Sequence, residues 1–466
     1  MSQIGTPENP LRVAVIGAGP AGFYTAEHLF RAVNVVTEVD MYDRLPTPYG
    51  LVRAGVAPDH EKIKNVTRKF DATAANERFR FFGNVDIGVD LDVSTLRRFY
   101  HQIVYATGAQ VDRRLGIDGE DLPGSHSATD FVAWYNGHPD YRDLEFNLKA
   151  SSVLIVGVGN VAVDVARILC RTTDELAATD IADYALQQLA ESEVKTVFMV
   201  GRRGPVQAAF TNPEIKELGE LQDATTEISA RDLELDPLSE KQLAEKPDRV
   251  ISKKLEIMRG LVAPAAETRS KRLVVRFLES PIRFLPDENG HLGAAELVRN
   301  KLVEGANGRL SARPTDEKEV IDVQLAFRSV GYRGVPVPGV PFNESWGVIS
   351  NNHGRVMDGV DGTLRIGEYA SGWIKRGPTG VIGTNKADAL ETVEAMLEDA
   401  ESGHLLQPET PEAVAVESLV RQAQPDFFTY EAWKRLDELE TQRGARLGRP
   451  RLKYTSREEM IAAVRS

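Results

Sequence analysis

The stretch Leu11-Arg12-Val13-Ala14-Val15-Ile16-Gly17-Ala18-Gly19-Pro20-Ala21-Gly22 decides how the rest of the chain is read. Its short apolar run, 11–16, stops at a glycine and predicts a buried strand. Residues 23–32 carry apolar side chains at helical spacing, and 38–43 predict a second strand ending in Asp43. Strand, glycine turn, helix, strand and an acid 21 residues beyond Gly22 make the dinucleotide-binding fingerprint in full order. Gly17 permits the tight turn, Gly19 lets the backbone approach a pyrophosphate, and Gly22 lets the helix pack closely on the sheet. The helix start offers unpaired N–H groups and partial positive charge to the phosphates. Asp43 suits a ribose diol and would repel a 2′-phosphate, so the first ligand carries an unphosphorylated adenosine ribose.

The pattern recurs. Residues 152–157 predict another buried strand, followed by Gly157-Val158-Gly159-Asn160-Val161-Ala162 and a helix over 161–171. Alanine at the last small position is tolerated by the pattern. The next strand, 194–200, runs into Gly201-Arg202-Arg203-Gly204-Pro205, with two arginines where the first unit has its acid. Guanidinium forks suit a phosphate monoester. Residues 172–193 read as an inserted helical excursion that lengthens this second motif. FAD in the first unit and NADPH in the second is the simplest assignment. Between them, Ile103-Val104-Tyr105-Ala106-Thr107-Gly108 has the form of a strand that closes an FAD-binding sheet. The similar 324–331 is expected to return the chain to the first unit. The glycine-rich 369–386 predicts a loop entering a helix near Gly380, where a helix start would stabilise the negative charge of reduced flavin.

The remaining composition narrows the class. The chain has 466 residues, a soft prior of about three domain-sized units. Its single cysteine, Cys170, excludes an internal redox disulfide, a bound iron–sulfur cluster and a cysteine-built zinc site. No metal is expected. A net charge of −13 argues against a nucleic-acid binder. No 18-residue apolar stretch and no secretory signal is present, which predicts a cytoplasmic protein without a membrane span.

The residues 46–60 (Pro46 through Tyr49, Leu51, Arg53 and His60), Phe81-Phe82-Gly83-Asn84-Val85, Gly201–Pro205 as quoted, and Gly372-Trp373-Ile374-Lys375-Arg376-Gly377-Pro378-Thr379-Gly380-Val381-Ile382 resemble the adrenodoxin-reductase-like ferredoxin–NADP⁺ reductases, above all their actinobacterial members. The resemblance runs from residue 11 to about 390. It implies an α/β fold of two Rossmann-like domains, with the FAD domain discontinuous in sequence: 1–108 and 324–398 for FAD, 109–323 for NADP, and a helical tail over 399–466 packed on the FAD domain. It implies FAD contacts at Gly17, Gly19, Ala21, Gly22, Asp43, Leu51, Ile87, Trp373 and the turn of Gly380, Val381 and Ile382. For NADP it implies Arg113, Val158, Gly159, Asn160, Val161, Arg202, Arg203, Glu214 and Gly380. His60, with an acid such as Glu217, is expected to tune the reaction or supply protons. The resemblance also implies a monomer that moves hydride from NADPH to non-covalent FAD and passes single electrons to a ferredoxin.

Two other classes compete: a diaphorase or quinone reductase serving small acceptors, and a nucleotide-sensing module with structural FAD. The lack of a Cys-x-x-Cys pair argues against a disulfide relay. For the acidic ferredoxin, the stretch 249–283 offers nine Lys/Arg against Glu256, Glu267 and Glu279, a local +6. Lys253, Lys254 and Arg259 are expected to form part of a steering surface there.

Overall fold

The computed structural model describes residues 4–262, 269–305 and 308–465, and the chain divides into two compact units. The first comprises the chain up to Val111, Asn136–Asp140 and everything from Tyr332 on; the second comprises Asp112–Tyr135 and Tyr141–Gly331.

The first unit is built on a seven-stranded sheet. Leu11–Ile16 is the middle one of its five parallel strands, with Thr37–Asp43 on one side and Gln102–Tyr105 on the other. Phe79–Gly83 and Leu364–Ala370 extend this parallel core, and two short antiparallel strands finish one edge. Every residue of Leu11–Ile16 is buried, as a parallel strand covered on both faces requires. Arg12 belongs to that strand because its guanidinium finds Glu38 and Asp40, the latter at 2.6 Å. A charge buried in a sheet needs such partners.

The second unit has a six-stranded, fully parallel sheet in the order Ser125–Ser127, Leu325–Arg328, Ser152–Val156, Thr196–Gly201, Lys271–Phe277, Ala224–Ile228. A separate antiparallel sheet joins Glu279–Pro286, Leu292–Glu304 and Leu310–Asp322. The insertion at 172–193 forms two helices, Thr173–Ala177 and Asp183–Ala190.

One expectation is corrected here. Residues 324–331 do not return the chain to the first unit. Leu325–Arg328 pairs in register with Ser152–Val156, Leu325 opposite Val153, and so completes the second sheet. It is the second unit's counterpart of Gln102–Tyr105, and after this strand the chain returns to the first unit at Tyr332. The reason is local to the turn. The carbonyl of Ser329 closes on Gly157 as the carbonyl of Ala106 closes on Gly17, so each glycine turn needs its own such strand.

The C-terminal residues belong to the first unit as three helices, Ala413–Ala423, Tyr430–Ala445 and Arg457–Arg465. Phe428 exchanges backbone hydrogen bonds of 2.8 Å with Gly83, continuing the sheet edge. Trp433 is buried, and Arg53 makes a bidentate pair with the buried Glu440 at 2.6 and 2.8 Å. Among the described residues no helix is long and apolar enough to cross a membrane.

Candidate functional site

In the first unit the turn after Leu11–Ile16 leads into the helix Pro20–Phe30, capped by Gly19 with Pro20 in its first turn. Gly17 has φ of +110°, and a Cβ there would lie 2.4 Å from the Ala106 carbonyl oxygen. Gly22 is equally constrained: its Cβ would lie 2.1 Å from the Gly17 oxygen. Gly19 differs. A Cβ there meets nothing within 4 Å, so this glycine faces open space at the helix start. That is the room a pyrophosphate needs, beside N–H groups that have no helical partner.

Asp43 ends the second strand and holds this turn in shape. Its Oδ2 accepts from the Ala18 N–H and its Oδ1 from the Leu45 N–H, both at 2.9 Å. Burial pushes its carboxyl above the ordinary 3.8, against the pull of those two backbone bonds. Each carboxylate oxygen can accept more than one hydrogen bond, so a ribose diol can still be taken.

The segment around Trp373 reaches the same helix start. Gly372 has φ of +79°, and a Cβ on it would press to 2.5 Å from the Ala21 Cβ. Its N–H donates to Asp388 Oδ2 at 2.5 Å. The Trp373 indole donates to the Thr379 carbonyl at 3.1 Å, and its ring lies beside Tyr332. Gly380, Val381 and Ile382 follow in the turn that enters the helix Thr384–Glu401, four residues later than the expected start. Leu51 begins the short helix Leu51–Ala54 and is 39% exposed. Ile87 is buried in an apolar cluster with Val85 and Leu91. His60 precedes the helix Glu61–Lys64.

The second unit repeats the turn. Gly157 has φ of +138° with the Ser329 oxygen 2.2 Å from its would-be Cβ, and Gly159, the cap of the helix Asn160–Cys170, again faces open space. Ala162 fills the third small position and is fully buried. A loop clamps this turn: the N–H groups of Ala209 and Phe210 donate to the Val158 carbonyl at 2.9 and 3.1 Å, and Thr211 N–H donates to Asn160 Oδ1 at 2.9 Å. Val161 packs against the core behind it. Arg113 N–H donates to the Gly331 carbonyl at 2.9 Å.

Arg202 and Arg203 follow the strand Thr196–Gly201 and line an open cleft. Among the described residues neither side chain has a hydrogen bond or ion pair. Their backbone is fixed instead: Asn300 Nδ2 donates to the Arg202 carbonyl at 3.1 Å, and Leu278 N–H to that of Arg203, also at 3.1 Å. The guanidinium of Arg203 is pushed below its ordinary pKa by burial and by the charges of Arg202 and Arg309. An anion would relieve that strain among like charges.

Glu214 and Glu217 lie on the helix Asn212–Leu218. Both face Arg167, 0% exposed, at 3.3 and 3.1 Å, and Asp164 joins the same guanidinium at 2.7 Å. Three carboxylates around one cation make a buried ionic group whose loss would strand charge inside the unit. This group is not singled out from the sequence; the Asp164–Arg167 spacing of three on one helix is the signal that could have found it.

The basic stretch at 249–283 is corrected. Lys254 is no surface charge: it is buried, donates Nζ to the Ala208 carbonyl at 2.6 Å, and lies over the Phe210 ring. It thereby holds the loop that clamps the glycine turn. Lys253 pairs with Glu256, Arg272 with Glu227, Arg276 with Glu279, and Arg283 with Glu296. The charge counted along the chain is spread over a helix and two strands, and the outside acids Glu227, Glu319 and Glu296 offset half of the local +6. Glu267 lies outside the described residues.

Two glycine turns, each opening a helix beside parallel strands, with an acid after one and two arginines after the other, define a two-dinucleotide oxidoreductase. The family model described as pyridine nucleotide-disulphide oxidoreductase matches residues 11–200. The only cysteine of this chain is buried, with its thiol pushed up to about 12 by burial, so no disulphide chemistry follows from that description. NADPH-ferredoxin reductase FprA of Mycobacterium tuberculosis is 42% identical over 462 residues, 97% of this chain and 98% of its own. The mitochondrial NADPH:adrenodoxin oxidoreductase of Arabidopsis thaliana is 40% identical over 465 residues, 98% of this chain and 95% of its own. The solved structure of Mycobacterium tuberculosis FprA in complex with NADPH matches at a TM-score of 0.92 and 42% identity, covering 98% of this chain and 100% of that one. The chain belongs to the adrenodoxin-reductase-like NADPH–ferredoxin reductase family.

Proposed function

We propose that this chain passes electrons from NADPH through FAD to a ferredoxin, with one coenzyme held by each glycine turn. The observation that carries the assignment is the pairing of two open turns with opposite chemistry after the second strand. Asp43 accepts from the hydroxyls of an unphosphorylated ribose, which selects FAD. Arg202 and Arg203 present their forks to a 2′-phosphate, which selects NADPH. The open backbone at Gly19 and at Gly159 fits a pyrophosphate in each unit, so the residues present suit both coenzymes. Bound FAD supplies the chemistry, accepting two electrons as hydride and releasing them singly.

The chain itself binds, orients and tunes. Gly17, Ala21 and Gly22 shape the FAD turn, and Trp373 with Gly380, Val381 and Ile382 sets the flavin's surroundings. Leu51 and Ile87 complete its contacts. Val158, Asn160, Val161, Arg113 and Glu214 orient NADPH, while His60 and Glu217 hold or move protons near the reacting atoms. The ferredoxin dock uses the exposed face of the helix Arg249–Arg259, through Arg249, Lys253 and Arg259. The enzyme works as a monomer in the cytoplasm, where a single reduced cysteine is ordinary.

Anaerobic stopped-flow mixing tests this reading. NADPH should bleach the flavin far faster than NADH, and a ferredoxin should then reoxidise it. Reoxidation by soluble quinones but by no ferredoxin would favour the diaphorase instead. A flavin that NADPH cannot bleach would favour a sensing module.

A further inference from the structure

The cleft beside the arginine pair contains a third guanidinium. We propose that Arg309, at the foot of the strand Leu310–Asp322, grips the coenzyme's 2′-phosphate together with Arg202 and Arg203 and is a specificity-determining residue of the site. The inference rests on the assignment of that pair to the 2′-phosphate and extends it to an element that sequence order places 106 residues beyond Arg203.

Geometry supports it first. Arg202, Arg203 and Arg309 line one open cleft with Leu310 and Ser311, and Arg203 and Arg309 also line the adjoining one with Gln207 and Gln242. The hairpin that carries Arg309 is tied to the backbone of the pair. Asn300, only 6% exposed, sits on the partner strand Leu292–Glu304 and donates its Nδ2 to the Arg202 carbonyl at 3.1 Å. The same amide reaches Ser280 Oγ at 2.9 Å, and the Asn300 N–H donates to the Leu278 carbonyl at 2.6 Å. Leu278 in turn holds the Arg203 carbonyl. Pairing of Glu304 with Leu310 and of Val303 with Ser311 carries this anchorage to the foot of the hairpin.

Electrostatics supports it second. Several arginines of this unit are matched to acids: Arg231 to Glu317, Arg272 to Glu227, Arg299 to Asp232. Arg202 and Arg203 are not, and Arg309 adds its field to theirs. The charges of Arg202 and Arg309 both weigh on Arg203, which favours an anion in the cleft. A phosphate monoester near neutral pH carries between one and two negative charges and three acceptor oxygens, enough for bonds from several guanidiniums at once. Free ADP-ribose lacking the 2′-phosphate offers nothing at this place.

Calorimetric titration of the FAD-loaded full chain with adenosine 2′,5′-bisphosphate and with 5′-AMP tests the proposal. Arg309→Gln should weaken the bisphosphate by about tenfold to a hundredfold, as loss of one charge-assisted bond implies, and leave 5′-AMP unchanged. Arg309→Lys, which keeps the charge but not the fork, should fall between. Arg203→Gln serves as the reference. If it loses the bisphosphate preference while Arg309→Gln binds as the parent does, the role of Arg309 is overturned and the pair keeps its assignment. If Arg203→Gln also binds as the parent does, the assignment of the pair fails as well. An equal loss of 5′-AMP and bisphosphate in Arg309→Gln would make it a structural residue and overturn the proposal.

Discussion

The two nucleotide-binding units solve the same steric problem with different residues at one place. In the first, Gly22 leaves no room for a methyl group, since a Cβ would stand 2.1 Å from the Gly17 oxygen. In the second, Ala162 carries that methyl fully buried. Gly17 and Gly157 are alike, each pressed by a carbonyl of the neighbouring strand, and Gly19 and Gly159 are alike in facing open space. What differs by kind is the residue after the second strand. Asp43 is bonded into its own turn by two backbone N–H groups, whereas Arg202 and Arg203 are fixed by their carbonyls and leave their side chains to the cleft. Burial drives the acid and Arg203 in opposite directions, yet each toward its neutral form. Ligands that stabilise the charged form are therefore favoured at both sites. The geometry of the turn is shared, and the charge beyond it is what differs between the units.

The sharpest way to break this comparison is to fill each open position in turn. Gly19→Val should give colourless protein, with essentially all FAD lost, read from the ratio of flavin to protein absorbance. Gly159→Val should stay yellow and lose NADPH binding instead. The same phenotype from both would show that the units do not divide the coenzymes as assigned.

Next in size, replacing Arg202 and Arg203 together by Gln should raise KM for NADPH by about two decades or more, from two charge-assisted bonds. KM for NADH should change little. Equal losses for both coenzymes would remove the pair from the 2′-phosphate.

A smaller effect separates the acid. The Asp43 pKa is raised in the folded, ligand-free protein above its ordinary 3.8. The folded state thus binds the proton more tightly than the unfolded chain, and stability falls as pH rises through that window. Ligand-free Asp43→Asn should lose this fall, giving a flatter thermal-unfolding midpoint from pH 4 upward than the parent. FAD, by donating ribose hydroxyls to the carboxylate, should release protons on binding to the parent in the same window. An identical pH profile for parent and variant would deny the acid this role.

The smallest expected change is Ala162→Gly, which removes a methyl that the second unit accommodates. It should cost about 1–2 kcal/mol of stability, through backbone entropy and the lost burial of one methyl, and leave coenzyme binding intact, measured by urea unfolding. A loss of NADPH affinity would mean that the methyl shapes the turn.

Sequence by itself determined the two turns and their opposite chemistry, because each fingerprint is written in contiguous residues whose roles follow from backbone sterics: Gly17, Gly19 and Gly22 with Asp43, then Gly157, Gly159 and Ala162 with Arg202 and Arg203. The predicted strands 11–16 and 152–157 appear as Leu11–Ile16 and Ser152–Val156, and the helices expected over 23–32 and 161–171 start three and one residues earlier, at Pro20 and Asn160. Tertiary structure alone decided which sheet takes Leu325–Arg328, since Gln102–Tyr105 and Leu325–Arg328 have the same local character and only pairing with Ser152–Val156 distinguishes them. It alone turned Lys254 from a surface charge into a buried brace of the coenzyme loop, and it alone brought Arg309 beside Arg203. Burial and charge pairing are sums over neighbours distant in the chain, so no count along the sequence can supply them.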